Sequence, residues 1–112
     1  MTEPAPAAYT VKQIETIAEG SDMRARLYTL APADIIPWHW HSAVTDSYFC
    51  LAGTLRVETR APGADQRVAV GASYAILPKT AHRISNGGHG EDCRFLLLQG
   101  VGTYDFNKTQ RE

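Results

Sequence analysis

Short apolar segments alternate with polar positions along most of the chain, and glycine or proline interrupts them at short intervals. Strict alternation is the mark of a half-buried strand, and many short strands separated by turn residues predict an all-β sandwich or barrel. The pattern predicts strands over 9–17, 23–30, 35–41, 46–51, 55–60, 67–70, 74–77, 82–85 and 94–98. Leu55, Val57 and Thr59 fall on one face of their strand. No segment holds the helical period of about 3.6 residues for long. The best helical candidate, 11–18, alternates equally well as a strand through Val11, Gln13, Glu15 and Ile17. Turns are predicted at Ala52-Gly53 and at Pro62-Gly63-Ala64-Asp65. The polar run from Asn86 to Asp92 reads as an exposed loop, with His89 in solvent. In the strand 94–98 either Phe95 and Leu97 or Leu96 and Leu98 face inward, and parity leaves both open.

A chain of 112 residues fits one domain. Residues 1–8, rich in Ala and Pro, are expected to form a flexible arm, 9–106 the folded domain, and 107–112 a polar tail, with Tyr104 and Phe106 as anchors just before it. The net charge of -1 provides no basic field, which argues against nucleic acid and anionic membranes as partners. No apolar run approaches the roughly 20 residues that cross a bilayer, and the N-terminus lacks the basic and apolar regions of a signal peptide, so a cytoplasmic location is expected. Cys50 and Cys93 form no C-x-x-C pair and are expected to be reduced, partly buried thiols.

The chemistry concentrates in three of the four histidines. His39 and His41 lie two apart in a predicted strand, so their imidazoles project from one face and converge. His82 opens another strand and closes the site from across a barrel. Asp46, five residues after His41, adds an anionic oxygen. Three imidazoles and a carboxylate suit one divalent metal ion: Fe, Mn, Ni, Co or Zn. Ligation requires neutral imidazole, so binding should weaken as pH falls below the histidine range. Tyr48 and Cys50 share the parity of Asp46. Tyr48 is therefore a candidate acid or base, as well as a candidate for core packing. Tyr74 and Ile76 are candidates for the opposite wall.

His39-Trp40-His41, four residues, Asp46, six residues, Gly53 resembles the first motif of the cupin superfamily, H-x-H, three or four residues, E, six residues, G. Gly71, His82 and Asn86 fall at the spacing of the second motif, G-x5-P-x-G-x2-H-x3-N. The resemblance covers 34–86 and implies an all-β fold, a single cupin β-barrel of the double-stranded β-helix or jelly-roll kind. It also implies the ligand set His39, His41, Asp46 and His82, and a mostly structural role for Asn86. Three positions depart from the pattern. Asp46 replaces Glu and is one methylene shorter, so it ligates directly or orients a ligand from behind. Leu77 stands at the Pro, with Pro78 one position later. Lys79 stands at the Gly of the turn, where a different local backbone conformation is expected because side chains disfavour positive φ.

The resemblance implies a metal-dependent protein acting on a small organic molecule, as a dioxygenase or as an isomerase or lyase. The alternatives are a non-catalytic small-ligand binder and a closed structural zinc site. Trp38 and Trp40 alternate with the histidines, so with Ile36 they are expected to form an apolar strip on the far side of the sheet, which either packs under the N-terminal strands or, the reading preferred, points to a homodimer.

Overall fold

The computed structural model describes residues 9–109. The strands are β1 (Gln13–Glu19), β2 (Met23–Leu30), β3 (Ile35–Trp40), β4 (Thr45–Ala52), β5 (Thr54–Thr59), β6 (Ala64–Ala69), β7 (Ser73–Ile76), β8 (His82–Asn86), β9 (Cys93–Gly100) and β10 (Asn107–Lys108). Among the described residues there is no helix, so the ambiguous segment 11–18 resolves as the strand β1. Every pairing is antiparallel. Two five-stranded sheets result, one in the order β1-β2-β9-β4-β7 and the other β10-β3-β8-β5-β6. Neighbours such as β2 and β9, or β3 and β8, are far apart in sequence, which is the wrapped connectivity of a jelly roll.

The core lies between the sheets and follows strand alternation. Leu55 and Val57 of β5 are fully buried, with Thr59 beside them. On β9 the buried residues are Cys93, Phe95, Leu97 and Gln99, which settles the parity left open by the sequence. Phe95 stacks on Tyr28 with ring centroids 4.9 Å apart. Each large apolar side chain taken fully from water contributes about 1.5–3 kcal/mol. Gly53 follows β4 with φ of +71°, and a Cβ there would stand 2.5 Å from the Asp92 carbonyl oxygen. Both the left-handed backbone and the close approach call for glycine.

Three expectations change. First, β3 carries a bulge between Ile36 and His39: these residues oppose Ile84 and His82, so β3 spends one residue more than β8. Both Ile36 and His39 can therefore face inward despite their odd spacing. Ile36 joins the core, and Trp38 is only 6% exposed, with the Arg60 guanidinium 3.8 Å from its ring centroid. Ile36 therefore does not join Trp38 and Trp40 in one continuous strip. Second, Lys79 keeps the left-handed conformation, with φ of 68°, instead of avoiding it. Its N–H donates to the His41 carbonyl at 2.7 Å, a bond that ties the turn before β8 to the end of β3. Third, Asn107 and Lys108, placed in the tail by their polarity, pair with Trp40 and His39 as β10. The arm 1–8 and the last residues, 110–112, lie outside the described part.

Candidate metal centre

His39, His41, Asp46 and His82 are all buried, and one ligand atom from each lies within 4.8 Å of the others. The two sheets supply them jointly. His39 and His82 face each other across the β3–β8 ladder, and His41 follows the end of β3. Asp46 comes from β4 of the opposite sheet. The H-x-H spacing works as the sequence suggested, because both rings leave one face of an extended segment.

The three rings are oriented by the backbone. Nδ1 of His39 lies 2.7 Å from the Pro37 carbonyl, that of His41 2.6 Å from the Asp105 carbonyl, and that of His82 2.9 Å from the Thr80 carbonyl. A carbonyl oxygen only accepts, so each Nδ1 donates. Every Nε2 is thereby left as the nitrogen available to the centre, the arrangement that metal-bound histidines use. Asp46 Oδ2 stands 3.1 Å from Nε2 of both His41 and His82. Ligands about 2.1 Å from one ion stand about 3 Å apart when adjacent, so these separations fit a shared cation.

Asp46 is further held by neutral donors. The Tyr48 hydroxyl donates to Oδ2 at 2.8 Å, and Gln99 Nε2 donates to Oδ1 at 2.9 Å. The shorter carboxylate thus reaches the histidines without the extra methylene of Glu, since Asp46 is only 1% exposed and aimed at the rings. Burial alone would raise its pKa, but the hydrogen bonds that His41 and His82 donate from Nε2 when they are protonated outweigh it and hold the carboxyl well below its usual range. For His41, burial lowers the pKa, and the hydrogen bond and charge of Asp46 more than reverse it. Burial and the neighbouring His82 lower His39 to about 3. Tyr48 is raised well above its ordinary value, first by burial and then by the Asp46 charge. A buried anion among neutral or displaceable protons is a site suited to a cation.

The C-terminal segment covers one side of the cluster. The Phe106 ring stacks on His39 with centroids 4.3 Å apart, and the Tyr104 ring lies 5.2 Å from that of His41. Both expected anchors are therefore at the centre itself. The Asp105 carboxylate accepts from the Ser42 N–H at 2.7 Å, which fixes the segment beside His41. Asn86 has the structural role expected: its Nδ2 donates to the Leu30 and Glu91 carbonyls, and its Oδ1 accepts from Gly88. His89 is exposed and apart from the cluster. Cys50 and Cys93 are free and buried. Ile76 is buried in the core and Tyr74 packs half-buried against it.

The sequence did not single out Gln99 or Asp105. Gln99 had a signal, being a polar residue on the inward parity of Phe95 and Leu97. Asp105 acts on His41 through its main chain, which no residue pattern reveals.

The antiparallel double sheet and its buried histidine–carboxylate cluster define a cupin-type architecture. A family model described as "Cupin domain" matches residues 26–99, and the chain belongs to that family. No curated protein matches it. Among solved structures, the chain is similar to an uncharacterised protein with a double-stranded β-helix domain from Klebsiella pneumoniae subsp. pneumoniae. The two are 18% identical with a TM-score of 0.77, and the match covers 96% of this chain and 86% of the other. KdgF from Halomonas sp. is 17% identical with a TM-score of 0.68, over 78% and 77% of the two chains. Lactobacillus farciminis oxalate decarboxylase is 16% identical with a TM-score of 0.75, and the match covers 93% of this chain but only 33% of that one. At these identities the likeness is one of fold.

Proposed function

We propose that this chain is a metal-dependent cupin enzyme that binds one divalent ion on His39, His41, Asp46 and His82 and acts on a small organic molecule, as an oxygenase or as an isomerase or lyase. One observation carries the reading: three Nδ1–H groups bonded to backbone carbonyls turn three Nε2 atoms toward a buried carboxylate. A divalent ion held there supplies Lewis acidity and positions for a ligand. The chain's own groups do the rest. Asp46 offsets the cation's charge, and Gln99 and Tyr48 fix the direction of its carboxylate. Tyr48 is fully buried, holds its proton and already donates it to Asp46, so it serves as a positioning residue and not as the base. Phe106 and Tyr104 shield the rings from bulk water.

The visible spectrum of Co(II)-loaded protein before and after azide tests this reading. Bands that shift on azide addition are expected, because ligands enter an open position. A tetrahedral spectrum indifferent to azide would mark a closed structural site and refute the enzyme reading. A protein that loads no Co(II) would refute the centre itself and leave a metal-free ligand binder.

A further inference from the structure

Two arginines on β2 have no role in the centre as described. The β2–β9 ladder runs without interruption, and it sets Arg24 opposite Gln99, Arg26 opposite Leu97 and Tyr28 opposite Phe95. Gln99, Leu97, Tyr28 and Phe95 are all buried on the face between the sheets. Arg24 and Arg26 therefore project from that same face, two residues apart, at the end of the barrel where Gln99 meets Asp46.

Among the described residues neither arginine forms an ion pair with a carboxylate. Arg24 donates from Nε to Gln99 Oε1 at 2.7 Å, and its guanidinium lies 3.5 Å from the Tyr104 ring centroid. Arg26 Nε is buried and has no hydrogen-bond partner among the described residues. A buried charged donor left unpaired is destabilising, so such a donor calls for a partner. A cavity of about 350 Å³ opens beside Arg24, lined also by Gln99, Met23, Thr103, Tyr104 and one carboxylate, Glu19; Arg26 stands outside that lining, two residues along the same face. That volume is at the lower end of small-molecule sites, about 300–1,000 Å³. Two of its walls touch the metal ligands: Gln99 bonds to Asp46, and Tyr104 packs on His41. A single glutamine amide thus separates a guanidinium from the carboxylate of the centre.

We infer that Arg24, supported by Arg26 on the same strand face, forms the anion-binding half of the ligand site, and that the molecule taken up beside the metal centre is a small organic anion. The inference rests on the metal reading for the other end of the ligand. Guanidinium pairs planar carboxylates and phosphates with two parallel bonds, and an arginine that lines a cavity without an ion pair to Glu19 beside it is free to take such a group. Arg24 is doubly fixed, by Gln99 and by the face of Tyr104, and so is preorganised to receive one.

Calorimetric titration of the metal-loaded protein with lactate, malonate and inorganic phosphate, and with the uncharged lactamide, tests the inference. Metal content and melting temperature are measured on every sample. At least one of the three anions is expected to bind, with lactamide at least tenfold weaker than lactate where lactate is the one bound. R24Q and R26Q are expected to weaken anion binding at least tenfold with metal content unchanged, and R24K and R26K to recover part of it. Binding by the acids and not phosphate, or the reverse, assigns the anion's chemistry. Anion binding that survives in both glutamine variants, or no anion binding to metal-loaded wild type, overturns the inference while the centre stands. Wild type that takes up no metal overturns both, and elemental analysis shows which has occurred. If a glutamine variant fails to fold, the lysine variants and the lactate–lactamide comparison decide.

Discussion

Gln99 lies directly across the β4–β9 ladder from Asp46, and its Nε2 donates to Asp46 Oδ1 at 2.9 Å while its Oε1 accepts from Arg24 at 2.7 Å. The amide orientation is fixed by its neighbours, because a carboxylate accepts and a guanidinium donates. Gln99 therefore turns Asp46 so that Oδ2 faces His41 and His82. Gln99→Leu is expected to leave the fold intact and weaken metal affinity about 10–100-fold, as loss of a ligand's supporting bond does elsewhere. Competition with a chelator measures it; unchanged affinity would mean Asp46 needs no such support.

Tyr48 and Asp46 are coupled through a 2.8 Å hydrogen bond inside the core. Tyr48→Phe keeps the ring and removes the donor. Urea denaturation of the metal-free protein should show a loss of about 1–3 kcal/mol. Any turnover found should persist at reduced metal affinity, because Tyr48 supports the carboxylate and is not the base. Complete loss of turnover in fully metal-loaded Tyr48→Phe would contradict that assignment.

Much of this centre was legible from strand spacing together with the resemblance to the two cupin motifs. The H-x-H pair in a strand fixed a common direction for two rings, and the distances to Asp46, Gly53, His82 and Asn86 matched two motifs at once. The bulge in β3 was not legible. It adds a residue between Ile36 and His39, and reading parity through it put Ile36 on the wrong side. Lys79 was misjudged because its φ of 68° follows from the turn's closure onto His41, a tertiary constraint that overrides local preference. The short pairing of β10 rests on contacts with Trp40 and His39 far back in the chain, so polarity alone made it a tail.

Gly53→Ala should cost about 2 kcal/mol or more, since a left-handed L-residue alone costs roughly 1–2 kcal/mol and the new Cβ meets the Asp92 carbonyl at 2.5 Å. Thermal unfolding reads this directly. A variant as stable as wild type would show that the β4–β5 turn relaxes away from Asp92.

Burial, and then the adjacent Cys50 thiol, raise Cys93 from 9.0 to about 12. Its folded pKa exceeds its unfolded one, so the folded chain holds the proton over a window where the unfolded chain releases it. The contribution to stability is complete below about 9 and is lost as pH rises from there toward 12. At pH 8 the native thiols should ignore an aromatic disulfide reagent, and both should react in urea. Rapid labelling of native protein would contradict the burial of the pair.

The buried carboxylate and the three backbone-anchored imidazoles are expected above all to share one cation. Elemental analysis of purified wild type beside His39→Ala and His82→Ala tests it most directly, with circular dichroism confirming the strands. One divalent ion per chain is expected in wild type, and almost none in either folded variant. Equal metal content in all three proteins would contradict the account.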